Sequence, residues 1–298
     1  MKHIVSVSLG HPARDAVRET EILGEQVTLE RIGVNGDLSK AASLIQEIDG
    51  KVDAIGLGGI ILHAYIDGRR YTIRDAAKLA FYAPNTPVVC GAGLKTYLEA
   101  EVVRRLDNKF KWQGKRVLVT SAVDRYSMAK AFIDAGAEVT LGDVAFALGI
   151  PIGIRNITLF NSLVRVALPI AFRLPFQLLY PTGQQQSEAA PQVRKLERFR
   201  KFYDQAEVIA GDWHYISKYL PDDLTGKIIV TNTNTEQNLV DLQVRGIAVV
   251  ITTTPRLDGR SVAVNVLEAA LAAVRGFPID AADYKELVSS LEPDVYST

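Results

Sequence analysis

The sequence predicts an α/β fold with two parallel-sheet domains, the second of them Rossmann-like. Two observations predict it: β-rich apolar runs alternate with helical patterns, and one strand–helix–strand unit has the layout of a dinucleotide-binding βαβ unit. The 298 residues are 48% hydrophobic and 23% charged, which predicts a substantial core rather than broad disorder. Basic and acidic residues number 34 each, so no global basic excess indicates a nucleic-acid partner.

The β-rich runs all end in small or polar residues. In chain order they are Ile4–Val7, Val52–Leu57, Val88–Val89, Val117–Val119, Val139–Leu141, Val208–Ala210, Ile228–Val230 and Ala248–Ile251. Ligands of open α/β sheets bind outside the carboxyl ends of the strands, so these endings favour a shared ligand crevice. The alternative is ordinary turn chemistry, because loops need Gly, Ser and Thr in any case.

A domain boundary is predicted near the charged segment Arg104–Lys109, which follows a helical pattern and precedes a new strand. Residues 1–108 would form an N-terminal α/β substrate domain. Residues 109–298 would form a Rossmann-like nucleotide-binding domain. The helical pattern of Ala263–Val274 predicts a C-terminal helix that returns to the first domain.

The predicted nucleotide turn contains no glycine, although glycine normally lets backbone amides approach a pyrophosphate. Ser121, Asp124 and Ser127 are candidate helix caps, and Arg125 is a candidate phosphate ligand. Asp143 ends the second strand, where an acidic residue would bind a ribose hydroxyl. No arginine follows it, so NAD is favoured over NADP as the cofactor. The alternative is a strand, a capped helix and a strand without a nucleotide, because Asp124 would repel a phosphate.

Three residues are candidates for catalysis. Lys95 follows a glycine-rich turn after a strand, where a partly desolvated lysine could exchange a proton with a substrate hydroxyl. Asp212 and His214 follow another strand and could form a carboxylate–imidazole pair. The alternatives are a surface lysine at a helix start and a loop pair that satisfies backbone groups.

Three further polar residues are candidates for cofactor binding. Asn232, Asn234 and Thr252 follow two of the later strands and can donate to and accept from a ribose or a polyol. Equally, the asparagines can cap the helix that begins near Thr235. We therefore expect either a ligand-binding edge or a set of capped loops at these positions.

Cysteine and histidine usage predicts neither disulfides nor a metal site. The single Cys90 excludes an internal disulfide, and the four histidines show no metal-ligand spacing. The apolar run at the N-terminus is too short for a signal peptide, so a cytoplasmic location is expected.

The apolar segment Gly149–Gly183 is interrupted by Arg155, Arg165 and Arg173 and by Pro169 and Pro175. A spanning helix needs ~20 mostly apolar residues, so the segment is predicted to be a buried helix and loop that contributes to a homodimer. The alternative is attachment to a membrane surface through a basic amphipathic face.

The whole chain resembles bacterial proteins classed as quinate or shikimate 5-dehydrogenases. The resemblance rests on the segments Ile4–Gly10, Val52–Gly59, Gly211–Ile216 and Thr252–Pro255. It implies an N-terminal substrate domain, a C-terminal Rossmann domain and a hydride-transfer reaction on a cyclic polyol or hydroxy acid.

Three functional hypotheses follow from these patterns. The first is an NAD-dependent oxidoreductase with a small-molecule substrate of quinate or shikimate type. The second is a non-catalytic, two-domain protein that binds or senses a small ligand. The third is a membrane-surface or subunit-interaction protein built around Gly149–Gly183.

Overall fold

The structure is a computed structural model that describes residues 1–174, 193–257 and 260–297. Its strands are β1 Lys2–Ser8, β2 Ala16–Ile22, β3 Glu25–Gly33, β4 Ala54–Gly58, β5 His63–Ile66, β6 Arg69–Thr72, β7 Val88–Val89, β8 Arg116–Val119, β9 Glu138–Leu141, β10 Val208–Gly211, β11 Ile228–Thr231, β12 Val249–Thr252, β13 Arg256–Leu257, β14 Arg260–Ser261 and β15 Asp294–Ser297. Its α-helices are α1 Leu38–Ile48, α2 Arg74–Ala80, α3 Ala92–Phe110, α4 Tyr126–Asp134, α5 Asp143–Phe146, α6 Ile157–Ala171, α7 Val193–Gln205, α8 Trp213–Ser217, α9 Glu236–Val244, α10 Val264–Arg275 and α11 Ala281–Ser290.

These elements form two compact α/β units, which confirms the predicted fold class at that level. The first unit comprises Met1–Leu94, residues 165–174 and Ala263–Ser290, and the second comprises the other described residues. The chain passes from the first unit to the second inside α3, between Leu94 and Lys95. The sequence had placed the boundary at residue 108, near the end of that helix.

The first unit is built on a five-stranded sheet in the order β2-β3-β1-β4-β7. All neighbouring strands are parallel except β2 and β3, which pair antiparallel. Helix α10 packs against β1 and β4, and its residues Val264–Ala272 are all buried. Gly56 permits this close approach, because a Cβ atom there would lie 2.7 Å from the carbonyl oxygen of Asn265. The Asn265 amide donates to Ser6 Oγ at 2.8 Å and fixes the helix on the sheet.

The second unit is built on a six-stranded sheet in the order β15-β12-β11-β10-β8-β9. All neighbours are parallel except β15, which pairs antiparallel with β12. The chain runs from β8 to β9 on one side and then crosses back to β10 on the other side of β8. The strand order therefore reverses between β8 and β10, and such a reversal is the usual ligand position of open α/β sheets.

One row of aliphatic side chains crosses the second sheet and forms the floor of its core. Leu118, Ile209, Ile229 and Val250 are register neighbours on four adjacent strands and are all buried. They belong to one cluster with Phe146 and the aromatic residues of α7. Burying each such side chain stabilises the fold by about 1.5–3 kcal/mol, so this row holds the strand ends in place.

Helix α4 begins without the predicted side-chain cap. Its N-cap residue is Arg125, and no side chain accepts from the first turn. The prediction that Ser121, Asp124 or Ser127 caps this helix was therefore wrong. The polar groups of these residues bond elsewhere. Asp124 accepts from the Lys95 ammonium, Ser127 donates to the carbonyl oxygen of Lys95, and Ser121 accepts from the backbone N–H of Asp212.

The described part of Gly149–Gly183 is only partly buried, which corrects the prediction of a buried segment, and its contribution to a homodimer stays a prediction. Ile150, Ile152, Val166 and Ile170 are exposed, although every third or fourth residue of α6 packs inward. Residues 175–183 lie outside the described residues. None of the described helices combines the length and apolarity that a bilayer crossing requires.

Candidate functional site

The candidate site lies at the carboxyl edge of the second sheet, where the strand order reverses. The loop after β8 supplies Asp124 and Arg125, and the loop after β10 supplies Asp212. Lys95 and Glu99 come from α3, one helical turn apart, and therefore share one face of that helix. These five residues are called the charged cluster below.

Arg125 is the centre of the charged cluster. Its side chain is 1% exposed, and its guanidinium donates to the carboxylate of Glu99 and, at 2.9 Å, to Oδ2 of Asp212. A guanidinium has five donors in a planar fork, so it can hold carboxylates from two different elements at once. Arg125 thus joins α3 to the loops after β8 and β10.

Lys95 and Asp124 form the more accessible part of the charged cluster. The Lys95 ammonium donates to both carboxylate oxygens of Asp124, at 2.7 and 3.0 Å. Their side chains are 13% and 15% exposed. Ser127, predicted as a cofactor ligand, donates from Oγ to the carbonyl oxygen of Lys95 at 3.1 Å.

Burial and pairing shift the pKa values of the two buried acids in opposite directions. Burial raises the pKa of Glu99 to about 7, because desolvation of its carboxylate outweighs the attraction of Arg125. Burial acts in the same sense on Asp212, but there the charge of Arg125 prevails and holds the pKa at about 2. The ion pair with Asp212 is therefore the firmly charged one at neutral pH.

Asp212 and His214 lie side by side, as predicted for a carboxylate–imidazole pair, and the charge of His214 contributes to the lowered pKa of the Asp212 carboxyl. Oδ1 of Asp212 also accepts from the backbone N–H of His214 at 2.9 Å and caps α8. The backbone N–H of Asp212 donates to Ser121 Oγ at 3.1 Å, which links the loops after β8 and β10. Both contacts hold the Asp212 carboxylate towards Arg125.

Asp143 is occupied by backbone donors rather than left open for a ribose. Its two carboxylate oxygens accept from the N–H groups of Ala122 and Val123 at 3.0 and 2.8 Å. Burial raises the pKa of this carboxyl to about 7, although both hydrogen bonds act in the opposite sense. Asp143 thus ties the end of β9 to the loop after β8 and positions the residues that follow.

Asn232 extends the charged cluster along the sheet edge. Its amide donates to Oδ2 of Asp212 at 3.3 Å, and its Oδ1 accepts from the backbone N–H of Trp213 at 3.5 Å. The predicted capping role falls to Thr235 and Asn238, which form a capping box at the start of α9. Asn232 is therefore placed beside the candidate site.

Asn234 and Thr252 belong to a separate polar group around Arg256. The Asn234 amide oxygen accepts from the Arg256 guanidinium. Thr252 Oγ1 donates to Asp294 at 3.5 Å, and Arg256 donates to the same carboxylate at 2.5 Å. These contacts join β11, β12 and β15, so the predicted cofactor residues are divided between two groups.

Glu99 was missed by the sequence analysis. Its side chain is fully buried, and its Oε2 and the Nε of Arg125 have no hydrogen-bond partner among the described residues. The available signal was its spacing, because an acid four residues after Lys95 on a helix shares that lysine's face.

The charged cluster does not suit a pyrophosphate. Glu99, Asp124 and Asp212 place three carboxyl groups around two cations, and both cations are already paired. A phosphate near the start of α4 would be repelled by Asp124 and would find Arg125 buried. Among the residues described, no group of three His, Cys, Asp or Glu could hold a metal ion.

No curated protein sequence matches the chain. Several solved structures align along most of it at low similarity. A glucose-galactose binding protein from Geobacillus stearothermophilus shares 13% identity, covers 99% of this chain and 97% of its own, and has a TM-score of 0.43. A sugar ABC transport substrate-binding protein from Bordetella parapertussis 12822 shares 11%, with coverages of 100% and 90% and a TM-score of 0.42. A solute-binding protein from Agrobacterium vitis with bound allitol shares 12%, with coverages of 97% and 99% and a TM-score of 0.39.

These comparisons correct three expectations. The resemblance to quinate and shikimate dehydrogenases, and with it the NAD-dependent oxidoreductase, was wrong, because the aligned structures are sugar-binding proteins. The predicted cytoplasmic location is corrected as well, since the aligned structures include substrate-binding and solute-binding proteins of ABC transporters. TM-scores at this level assign no ligand to this chain.

Two family models match the chain itself. Residues 3–90 match a model described as "Domain of unknown function (DUF8753)". Residues 93–295 match a model described as "Domain of unknown function (DUF8754)", which covers more than half of the chain. The two matches meet near Leu94, where the chain passes between the compact units. The chain therefore belongs to the family described as "Domain of unknown function (DUF8754)".

Proposed function

We propose that the protein is a non-catalytic small-ligand-binding protein and that the charged cluster of the second unit contacts the ligand. The observation that carries the proposal is the position of this cluster. Five charged side chains from three segments converge where the strand order reverses, which is where open α/β sheets bind ligands. In this proposal the second unit is a doubly wound, Rossmann-like domain whose ligand is not a nucleotide.

The charges of the cluster favour an uncharged ligand rich in hydroxyl groups. The two cations are matched by Asp124 and Asp212, and Glu99 is close to its protonation midpoint near neutral pH. The net charge of the charged cluster is therefore close to zero, and the cluster would attract neither anions nor cations strongly. Its partly exposed groups, Lys95 and Asp124, keep spare donors and lone pairs that a hydroxyl group can use.

Pre-organisation supports binding rather than a purely structural role. Asp212 is held by Arg125, by two loops and by the amide of Asn232, so its carboxylate needs no rearrangement to accept from a ligand. Binding is less costly when the polar groups are already fixed in their bound geometry. The competing structural explanation is an internal ion-pair network that holds α3 against the sheet.

A ligand screen separates these explanations. Thermal-shift measurements on the full chain would use monosaccharides, polyols and hydroxy acids, with NAD and inorganic phosphate as anionic probes. We expect a neutral, hydroxyl-rich compound to raise the melting temperature. A ligand at about 100 times its dissociation constant stabilises by about 2.7 kcal/mol, which corresponds to roughly 5–10 °C. The screen also tests the NAD predicted from the sequence, and a shift with NAD would contradict a ligand that is not a nucleotide.

Site variants then locate the ligand. Asp124→Asn should weaken binding of the identified compound by roughly 10- to 100-fold in calorimetry, because it removes a charged acceptor. The matched control is Asp134→Asn, which breaks an exposed pair with Lys130 in the same unit. If both variants bound the compound with equal affinity, or if no compound in the screen raised the melting temperature, the charged cluster would have only a structural role.

A further inference from the structure

The segment around α6 exposes an unusual amount of apolar surface. Of the 16 large apolar side chains that are exposed among the described residues, eight lie between positions 148 and 174. They are Leu148, Ile150, Ile152, Leu159, Leu163, Val166, Ile170 and Leu174. Soluble proteins rarely leave such concentrations of apolar surface without a partner.

Four of these side chains form a line along α6, called the apolar stripe below. Leu159, Leu163, Val166 and Ile170 follow one another at spacings of four, three and four residues, which places them on one face of the helix. The opposite face packs inward through Phe160, Val164 and Leu168. A helix that is apolar on both sides normally has both sides covered, so the stripe needs an occupant.

The charged residues within this segment are all basic. Between positions 144 and 174 the sequence contains no Asp or Glu and three arginines, all exposed. Arg155 lies four residues before the stripe, and Arg173 lies three residues after it. Arg165 pairs with Asp67 at 3.3 Å on the exposed flank of the helix. This stretch is basic although the whole chain has no net charge.

The sequence suggested two partners for this segment, a second copy of the chain or a membrane surface, and the charges favour the membrane. In a twofold dimer through this face, Arg155 and Arg173 would meet their own copies or each other, and the stretch contains no acid to neutralise them. An anionic bilayer surface offers acyl chains to the stripe and negative head groups to the flanking arginines. Interfacial helices have this combination of an apolar face and basic residues.

We propose that α6 and the loop before it dock on an anionic phospholipid surface. The apolar stripe enters the boundary between head groups and acyl chains, and Arg155 and Arg173 contact lipid phosphates. The helix lies on the surface and does not span the bilayer. This docking does not depend on the ligand proposed for the charged cluster.

Flotation of the full chain with liposomes tests the proposal. We expect binding to vesicles of phosphatidylcholine with 30% phosphatidylglycerol (roughly the anionic range that polybasic segments detect), weaker binding in high salt and little binding to pure phosphatidylcholine. Val166→Asp should weaken binding on the order of tenfold, because it places a charge in the apolar contact. The matched control is Val244→Asp, since Val244 is 83% exposed and Val166 is 70% exposed.

A second pair of variants tests the charges. Arg155→Gln combined with Arg173→Gln should lower binding by about fivefold for each arginine. The control combines Arg14→Gln with Arg198→Gln, which removes two exposed arginines elsewhere.

Three outcomes would overturn the proposal. They are no binding to the anionic vesicles at low salt, equal losses in a test variant and its control, and a concentration-dependent dimer that Val166→Asp dissociates without any vesicle binding.

Discussion

Each unit buries one glutamate at the carboxyl edge of its sheet, and the two are stabilised in different ways. Glu268 of the first unit accepts from the N–H groups of Gly91 and Leu94 at 2.5 and 2.9 Å and from the hydroxyl of Tyr284 at 2.9 Å. Glu99 of the second unit relies on the charge of Arg125 and keeps one oxygen without a partner among the described residues.

The two carboxyl groups differ in the partners that hold them. Three neutral donors satisfy Glu268 and tie α10 to the start of α3. Glu99 depends on a partner that it shares with Asp212, so any change in one charge alters the others.

Removing Arg125 should lower the free energy of unfolding more than any other change proposed here. Arg125→Met leaves Glu99 and Asp212 as buried acids without their cation, which costs about 3–5 kcal/mol of the free energy of unfolding. Urea unfolding of the full chain measures this loss. Arg198→Met, at an exposed arginine, serves as the control, and a similar loss in both variants would contradict a central role for Arg125.

A smaller effect is expected from Glu268→Gln in the first unit. The amide oxygen still accepts, but the NH₂ group then faces a backbone N–H or the tyrosine hydroxyl, so the variant should lose about 1–3 kcal/mol. Glu25→Gln, exposed in the same unit, is the matched control. Burial raises the pKa of Glu268 in spite of its hydrogen bonds, so the advantage of the wild type over Glu268→Gln, measured by unfolding, should be smaller at pH 8 than at pH 5.

A third effect is a pH dependence in the second unit. The folded state raises the pKa of Glu99 to about 7 from 4.5, so the folded protein binds a proton that the unfolded chain releases. The stability from this group is fully present below pH 4.5 and is lost as the pH rises through 7. Asp143 adds a change of the same sign, so the variant Glu99→Gln isolates the Glu99 part.

Melting temperatures at pH 5, 6, 7 and 8 test this expectation. The advantage of the wild type over Glu99→Gln should shrink as the pH rises, whereas Glu138→Gln, at an exposed glutamate of the same unit, should follow the wild type throughout. A constant difference between wild type and Glu99→Gln would mean that Glu99 does not titrate in this range.

The apolar runs predicted most of both sheets, because central parallel strands are buried on both faces and consist of Val, Ile and Leu. Strands β2, β3 and β15 were missed. Ala16–Ile22 lies at the sheet edge and holds three charged residues, and its alternation of half-buried and exposed positions resembles a polar loop. Edge strands carry such charges because they face solvent on one side.

The sequence identified four of the five residues of the charged cluster but not the way they pair. Lys95, Asp124, Arg125 and Asp212 were singled out because they follow strand ends or open helices. Their pairing could not be predicted, since Arg125 and Asp212 lie 87 residues apart and meet only when β8 and β10 pair. The resemblance to dehydrogenases failed because it rested on glycine-rich and threonine-rich strand endings, which many α/β proteins need for their turns.

The buried helix α10 has a consequence for the synthesis of the chain. The first unit needs this helix between its sheet and the solvent, yet α10 ends at residue 275, long after Met1–Leu94 has been translated. At about 5–20 residues per second, a ribosome makes α10 roughly ten to forty seconds after Leu94. The sheet face that α10 covers therefore stays exposed while residues 95–262 of the second unit emerge, so the nascent chain presents an apolar surface during that interval.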